Sequence, residues 1–368
     1  MKLLYITNQI CGSAGLERVL SIKTDYLIEK YGYDIHILTM NQNNTPVFYD
    51  FNDTITFHDI TVKGNPIQYF LQYQNGLRSI VQRVQPDMIS VCDDGLKGFF
   101  VPSIVGKPCP MIYERHVSKN IEVKEDKVSF KTQLITNIKY RLMHLGAKRY
   151  DRFVVLTTDN LSEWKLKNLQ VISNPLSFNP DTKAVLEAKT VLAVGRQSYQ
   201  KGYDRLLKSW KTVHDKYPDW KLKIYGKKDE SLNLEGLANT LGIDSSVEFH
   251  SPTKEILNEY LNSSIYVMSS RFEGFGMVLI EAMACGVPAI SFDCPCGPSD
   301  IITDNTDGFL VENNDISAFS EAIEKLILNP EKRKKMGANA KKNIRRFLPE
   351  EIVPQWDTLF KSLVKNKI

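Results

Sequence analysis

Residues 271–290 allow few architectures. They read Arg-Phe-Glu-Gly-Phe-Gly, then Met-Val-Leu-Ile-Glu-Ala-Met-Ala-Cys, then Gly-Val-Pro-Ala-Ile. The middle run is rich in helix formers and free of proline, which predicts a helix opening at Gly276 or Met277. Gly286-Val287-Pro288-Ala289-Ile290 then reads as a strand. A short helix set between a glycine loop and a strand is the connection of a parallel α/β sheet, and in such sheets ligands bind beyond the carboxyl ends of the strands. Gly274 and Gly276 let backbone approach a ligand closely. The first N–H groups of the helix lack intrahelical partners and its dipole favours negative charge, so a phosphate is well placed at Met277 and Val278.

Two carboxylates flank this turn. Glu273 precedes the helix and Glu281 lies about one turn inside it. A fully helical segment would separate them by roughly 12 Å, beyond the about 5 to 9.5 Å that a glycosidase pair needs across one anomeric carbon. A nucleotide sugar is longer, with hydroxyl clusters on hexose and ribose and a diphosphate between them, and two spaced acceptors suit it. Taken alone, a Glu-x7-Glu spacing fits equally two solvated charges beside an ordinary buried helix.

Thr190 to Gly195 reads as a buried parallel strand, followed by Arg196, a polar turn, Lys201-Gly202-Tyr203-Asp204 and a helix over Arg205 to Val213. Arg196 and Lys201 supply two cations where a diphosphate leaving group would build charge, an arrangement that needs no metal. The competing reading is two surface cations near a helix start.

The chain resembles the retaining glycosyltransferases of family 4. The matching residues are Gly195-Arg196 with Lys201-Gly202, Glu273-Gly274-Phe275-Gly276 with Glu281-Ala282, Gly286-Val287-Pro288, Gly297-Pro298-Ser299-Asp300, Asp307-Gly308-Phe309 and Gly15-Leu16-Glu17-Arg18. The resemblance implies an α/β fold of the GT-B type, two Rossmann-like parallel-sheet domains facing across a cleft. It implies that Arg196 and Lys201 contact the donor diphosphate, Glu273 the hexose hydroxyls and Glu281 the ribose hydroxyls. The Gly274, Phe275, Gly276, Met277 and Val278 backbone would approach sugar and phosphate, and the loop around Ser251 to Thr253 would receive the base. The implied reaction moves a hexose, with retention and without a metal or other cofactor, from a nucleotide sugar to a hydroxyl of a glycan or lipid-linked saccharide in surface polysaccharide assembly. A UDP-hexose is the expected donor, with GDP-mannose the other choice. Two departures stand out. Gly276 replaces a proline common in relatives, which loosens the turn while leaving its N–H available, and Tyr225-Gly226-Lys227-Lys228 replaces a frequent Gly-x-Gly loop.

The amino-terminal half opens with a strand at Met1 to Thr7, a loop through Gly12 and Gly15, and helical periodicity from Leu16 to Glu29. The full Gly-x-Gly-x-x-Gly spacing is missing, as is an acidic ribose ligand after the strand that starts at Asp34, which disfavours nicotinamide. In the resembling family this loop faces donor and acceptor, and Gly15 is the expected contact. A strand at Pro110 to Tyr113 then runs into Glu114-Arg115-His116. Relatives often place a histidine here near the donor sugar, so His116 is the expected catalytic residue, with Arg115 able to fill the same space.

At 368 residues the chain exceeds one ordinary core. The polar, proline-bearing stretch at Ser173-Asn174-Pro175 divides an acceptor domain, 1–173, from a donor domain, 174–349, and an amphipathic helix at about 350–368 is expected to return to the first domain. The absence of a long apolar run or signal-like start predicts a cytoplasmic protein, and six cysteines without paired spacing fit reduced thiols. Between Lys119 and Arg152 there are nine Lys/Arg and four Asp/Glu, a surplus of +5 against +4 for the whole chain. The apolar and basic mixture from Phe130 onward suits peripheral contact with an anionic membrane at the inner face of the cytoplasmic membrane. The alternative is a solvated helix whose apolar side is core. Without a basic, aromatic platform, nucleic acid is an unlikely partner. Two other functions share these features: a nucleotide-sugar epimerase of the same architecture, and a catalytically silent sugar-binding relative.

Overall fold

The computed structural model describes residues 1–122 and 130–365. The basic segment 119–152 and the terminal helix thus each include residues outside the described ones, 123–129 and 366–368. The described residues form two compact units, one of residues 1–117, 130–177 and 349–365, the other of 118–122 and 178–348.

The first unit carries seven parallel strands: β1 (Lys2–Ile6), β2 (Asp34–Met40), β3 (Thr56–Ile60), β4 (Met88–Val91), β5 (Met111–Glu114), β6 (Arg152–Val155) and β7 (Leu169–Val171), in the spatial order β3-β2-β1-β4-β5-β6-β7. Winding runs outward in both directions from the boundary between β1 and β4, so the loops after those strands diverge there and leave a crevice. Every residue of β4 and β5 is buried, as expected of strands covered on both faces. One face packs Val91, Tyr113 and Phe153 against Leu77, Phe99 and Met143. The helices Gly15–Tyr31 and Pro349–Lys365 pack against each other, and the hydroxyl of Tyr33, just beyond the first, donates to Asp357 of the second at 2.9 Å.

The second unit has six parallel strands: β8 (Thr190–Val194), β9 (Lys221–Tyr225), β10 (Val247–His250), β11 (Ile265–Met268), β12 (Ala289–Asp293) and β13 (Gly308–Glu312), in the order β10-β9-β8-β11-β12-β13. Its switch point lies between β8 and β11. Val191, Ala193, Ile290 and Phe292 pack against Leu206, Trp210, Phe319 and Ile323 of the helices Tyr203–Lys216 and Ile316–Leu328. Together the two sheets make the α/β, doubly wound fold that the sequence predicts.

Some boundaries differ from expectation. Glu114 belongs to β5 and not to the loop after it, which buries its carboxylate. Gly286 turns with a φ of +72°, so β12 starts only at Ala289. Among the described residues no helix is long and apolar enough to cross a membrane.

Candidate active site

The helix Met277–Ala284 opens where predicted, behind Gly276. The φ of Gly276 is +106°, a value closed to proline, whose ring fixes φ near −65°. The glycine is therefore required by this turn instead of merely loosening it. The loop before it is equally constrained: a Cβ on Gly297 would run into the Phe275 carbonyl oxygen, and the Glu273 N–H donates to the Pro295 carbonyl at 3.0 Å.

Both glutamates are buried, 5% exposed for Glu273 and 2% for Glu281, which rules out the reading of two solvated charges. Lys201 Nζ donates to Glu273 Oε1 at 2.7 Å, and the Ser270 hydroxyl donates to the same oxygen at 2.5 Å. Lys201 comes from the loop after β8 and Glu273 from the loop after β11, the two strands that flank the switch point. The pair is not sealed, since the Lys201 side chain retains 17% exposure. Glu281 accepts from the Tyr260 hydroxyl at 3.1 Å, inside the helix. Burial and the nearby Glu273 charge push the Tyr203 phenol well up, and its hydroxyl donates to the Gly195 carbonyl at 2.9 Å.

Bonds that the sequence did not reveal hold the two loops together. Arg271 grips Asp204 with both guanidinium nitrogens at 2.9 and 2.8 Å, donates to the Tyr199 carbonyl at 2.8 Å and lies 4.1 Å over the Tyr199 ring. Burial alone would raise the Asp204 carboxyl, but Arg271 holds it below its ordinary value. The Ser269 hydroxyl donates to the Lys201 carbonyl at 2.9 Å, and Gln200 to the Phe272 carbonyl at 3.1 Å. Arg271 and Asp204 are 67 positions apart, so no local pattern announces them.

The remaining expected residues lie elsewhere. Arg196 is exposed and acts on Asp229, and it bonds neither Lys201 nor Glu273. Ser251 is exposed after β10, and Thr253 Oγ1 accepts from the Glu255 N–H at 3.0 Å, ahead of the helix Ile256–Leu261. In the first unit, Gly15 is the first residue of the helix Gly15–Tyr31, whose N-terminus has no side-chain cap. His116 Nε2 lies 3.2 Å from Glu114 Oε2. Arg115 turns instead toward Asp94, whose carbonyl it reaches at 2.8 Å, with its guanidinium over Phe99 and Trp164. Cys92, Glu114 and His116 bring ligand-type atoms within 4.8 Å of one another, but Lys23 already supplies a cation to this carboxylate at 2.5 Å.

Parallel doubly wound units with a lysine–glutamate pair at a switch point define a class, the α/β proteins whose ligand site lies beyond the carboxyl ends of the central strands. Comparison with known proteins narrows it. The profile of the family described as glycosyl transferases group 1 matches residues 178–343, and that of glycosyl transferase 4-like matches residues 10–144. An uncharacterized glycosyltransferase of Haemophilus influenzae is 32% identical over 356 residues, 94% of this chain and 96% of the relative. The amylovoran biosynthesis glycosyltransferase AmsD of Erwinia amylovora is 29% identical, over 97% and 99% of the two chains. Among solved structures, Anabaena HepE in complex with UDP-glucose superposes with a TM-score of 0.78 at 16% identity, over 99% and 100% of the two chains. The chain belongs to the GT-B group 1 glycosyltransferases of the family 4-like type and is a glycosyltransferase.

Proposed function

We propose that the protein transfers a hexose, with retention of anomeric configuration, from a UDP-hexose to a hydroxyl of a glycan or lipid-linked saccharide during surface polysaccharide assembly. The observation that carries this reading is the Lys201–Glu273 pair at the β8/β11 switch point, next to the helix start at Met277. Lys201, with Arg196, would neutralise the departing diphosphate, aided by the first N–H groups of that helix. Glu273 and Glu281 would accept from hexose and ribose hydroxyls. Ser251 and Thr253 would meet the base. The first unit would contribute Gly15 and His116. Two cations and a helix dipole make a metal unnecessary for stabilising the leaving group. Names of relatives support the context: AmsD acts in amylovoran biosynthesis, and HepE was solved with UDP-glucose.

The test is turnover of purified enzyme with a panel of nucleotide sugars and a glycan acceptor, with and without chelator, the product anomer being read by NMR. Retained configuration from a UDP-sugar, unaffected by chelator, is the expected result. An inverted product overturns the retaining mechanism, and epimerised donor without acceptor overturns transfer in favour of an epimerase.

We also propose a cytoplasmic enzyme with peripheral membrane contact through the helix Phe130–Ala147. Leu134, Ile135, Ile138, Leu142 and Leu145 are 37 to 57% exposed along it, so core packing accounts for Met143 and Ala147 but not for this stripe. Five Lys/Arg and no Asp/Glu lie between Phe130 and Tyr150. Such a face suits an anionic lipid surface. Flotation with anionic vesicles that weakens in salt is expected, and absence of binding to them removes this part of the reading.

A further inference from the structure

The first unit holds a second buried charge cluster that the donor site does not use. Glu114, at the carboxyl end of β5, is 0% exposed and has three partners. Lys23 Nζ donates to its Oε2 at 2.5 Å, the Ser90 hydroxyl to its Oε1 at 2.5 Å, and His116 Nε2 lies 3.2 Å from Oε2. Lys23 is itself 1% exposed, its ammonium 4.1 Å over the Trp356 ring and 5.0 Å over the Tyr5 ring. Such a cation is fixed from all sides, and it fixes the carboxylate in turn.

The imidazole follows from this. Burial alone would raise the Glu114 carboxyl, but Lys23, seconded by His116, draws it down to about 2. An ionised carboxylate only accepts, so the histidine nitrogen facing it must carry the proton. Lys23 already balances the carboxylate charge, and a neutral ring protonated at Nε2 satisfies the contact. Its Nδ1 is then a bare lone pair. That atom is buried without a hydrogen-bond partner, in a side chain 5% exposed. An orphaned buried acceptor is costly, and the cost is recovered when a ligand brings a donor.

We propose that Glu114, locked by Lys23, is a positioning residue that holds His116 as the Nε2–H tautomer and so presents Nδ1 as an acceptor for a substrate hydroxyl. The inference rests on the reading of the protein as a sugar transferase using His116, and it deepens that reading. It also sorts the ligand's parts. A diphosphate has no proton to give and cannot satisfy Nδ1, whereas a sugar hydroxyl can. His116 therefore addresses a sugar hydroxyl and not a phosphate.

The test is the tautomer of His116, read from imidazole nitrogen resonances of histidine-labelled enzyme, in wild type and in Glu114→Gln. The expected wild-type ring is protonated at Nε2 with an unprotonated Nδ1, whose resonance moves when UDP-glucose is added. In Glu114→Gln, whose side-chain amide can donate, the Nε2–H form loses its dominance. The variant's kcat falls by roughly 10- to 100-fold, as for other residues that orient a functional histidine, while KM for the donor changes little. A wild-type ring protonated at Nδ1, or at both nitrogens, overturns the proposal even if the variant fails to fold. So does a folded variant with wild-type kcat. If the wild-type enzyme transfers no sugar at all, the reading of function has failed, while the tautomer measurement still decides whether Glu114 sets the ring.

Discussion

Each unit carries a lysine–glutamate pair close to its switch point, and the two pairs differ in how far they are sealed. Lys23 and Glu114 have side chains 1% and 0% exposed, capped by Trp356, Tyr5, Ser90 and His116. Lys201 and Glu273 are 17% and 7% exposed, and among the described residues only Ser270 adds a further side-chain bond to the carboxylate. A sealed pair cannot exchange partners without unpacking the protein, and removing one member leaves a buried charge. An open pair at a strand end can trade its mutual contact for contacts with a ligand. On the proposed function one pair is scaffolding and the other meets the ligand, although the residue types are the same.

That contrast is broken most sharply by Lys23→Ala, which strands Glu114 and is expected to cost about 3–5 kcal/mol in denaturant unfolding. A loss no greater than that of Lys201→Ala would remove the distinction. Lys201→Ala is expected to lower turnover by about 10²–10³ with nucleotide sugar and acceptor, with a smaller loss of stability because that pair keeps contact with solvent. Arg271→Ala frees Asp204 and unties the loops carrying Lys201 and Glu273. Roughly tenfold slower turnover is expected from a misplacement of that kind, and unchanged kinetics would show that the loops hold without it. Acid sharpens the comparison further. Glu114 has a folded pKa of about 2 against an ordinary 4.5, so its contribution is complete above 4.5 and is lost as pH falls from there toward 2. Unfolding curves of wild type and Glu114→Gln should converge over that window, and parallel curves would contradict the assignment. The smallest effect is Gly276→Ala, where a side chain at a φ of +106° should cost about 1–2 kcal/mol.

Much of the second unit was legible because its chemistry is local. The Glu-Gly-Phe-Gly turn, the helix behind it and the buried strand before Arg196 each announce themselves within about ten residues, and the helix opens at Met277 as read. Arg271 and Asp204 give no local sign, because a bond between distant loops leaves no periodicity, and Ser270, three residues before Glu273, reads as an ordinary loop serine. The first unit offered one sign that was passed over. Lys23 falls on the same helical face as Val19, Leu20 and Leu27, all buried, and a lysine on such a stripe requires an acid opposite. Its partner Glu114 reads in the sequence as a loop residue, because strand ends carry no sharp local signal.

On the proposed function, Lys201 beside Met277 grips the diphosphate of a nucleotide sugar while its partner Glu273 takes hexose hydroxyls. Thermal unfolding of wild type and Lys201→Ala, each with and without saturating UDP-glucose, tests it directly. A clear rise in the wild-type midpoint and almost none in the variant is expected. An equal rise in both proteins would contradict it.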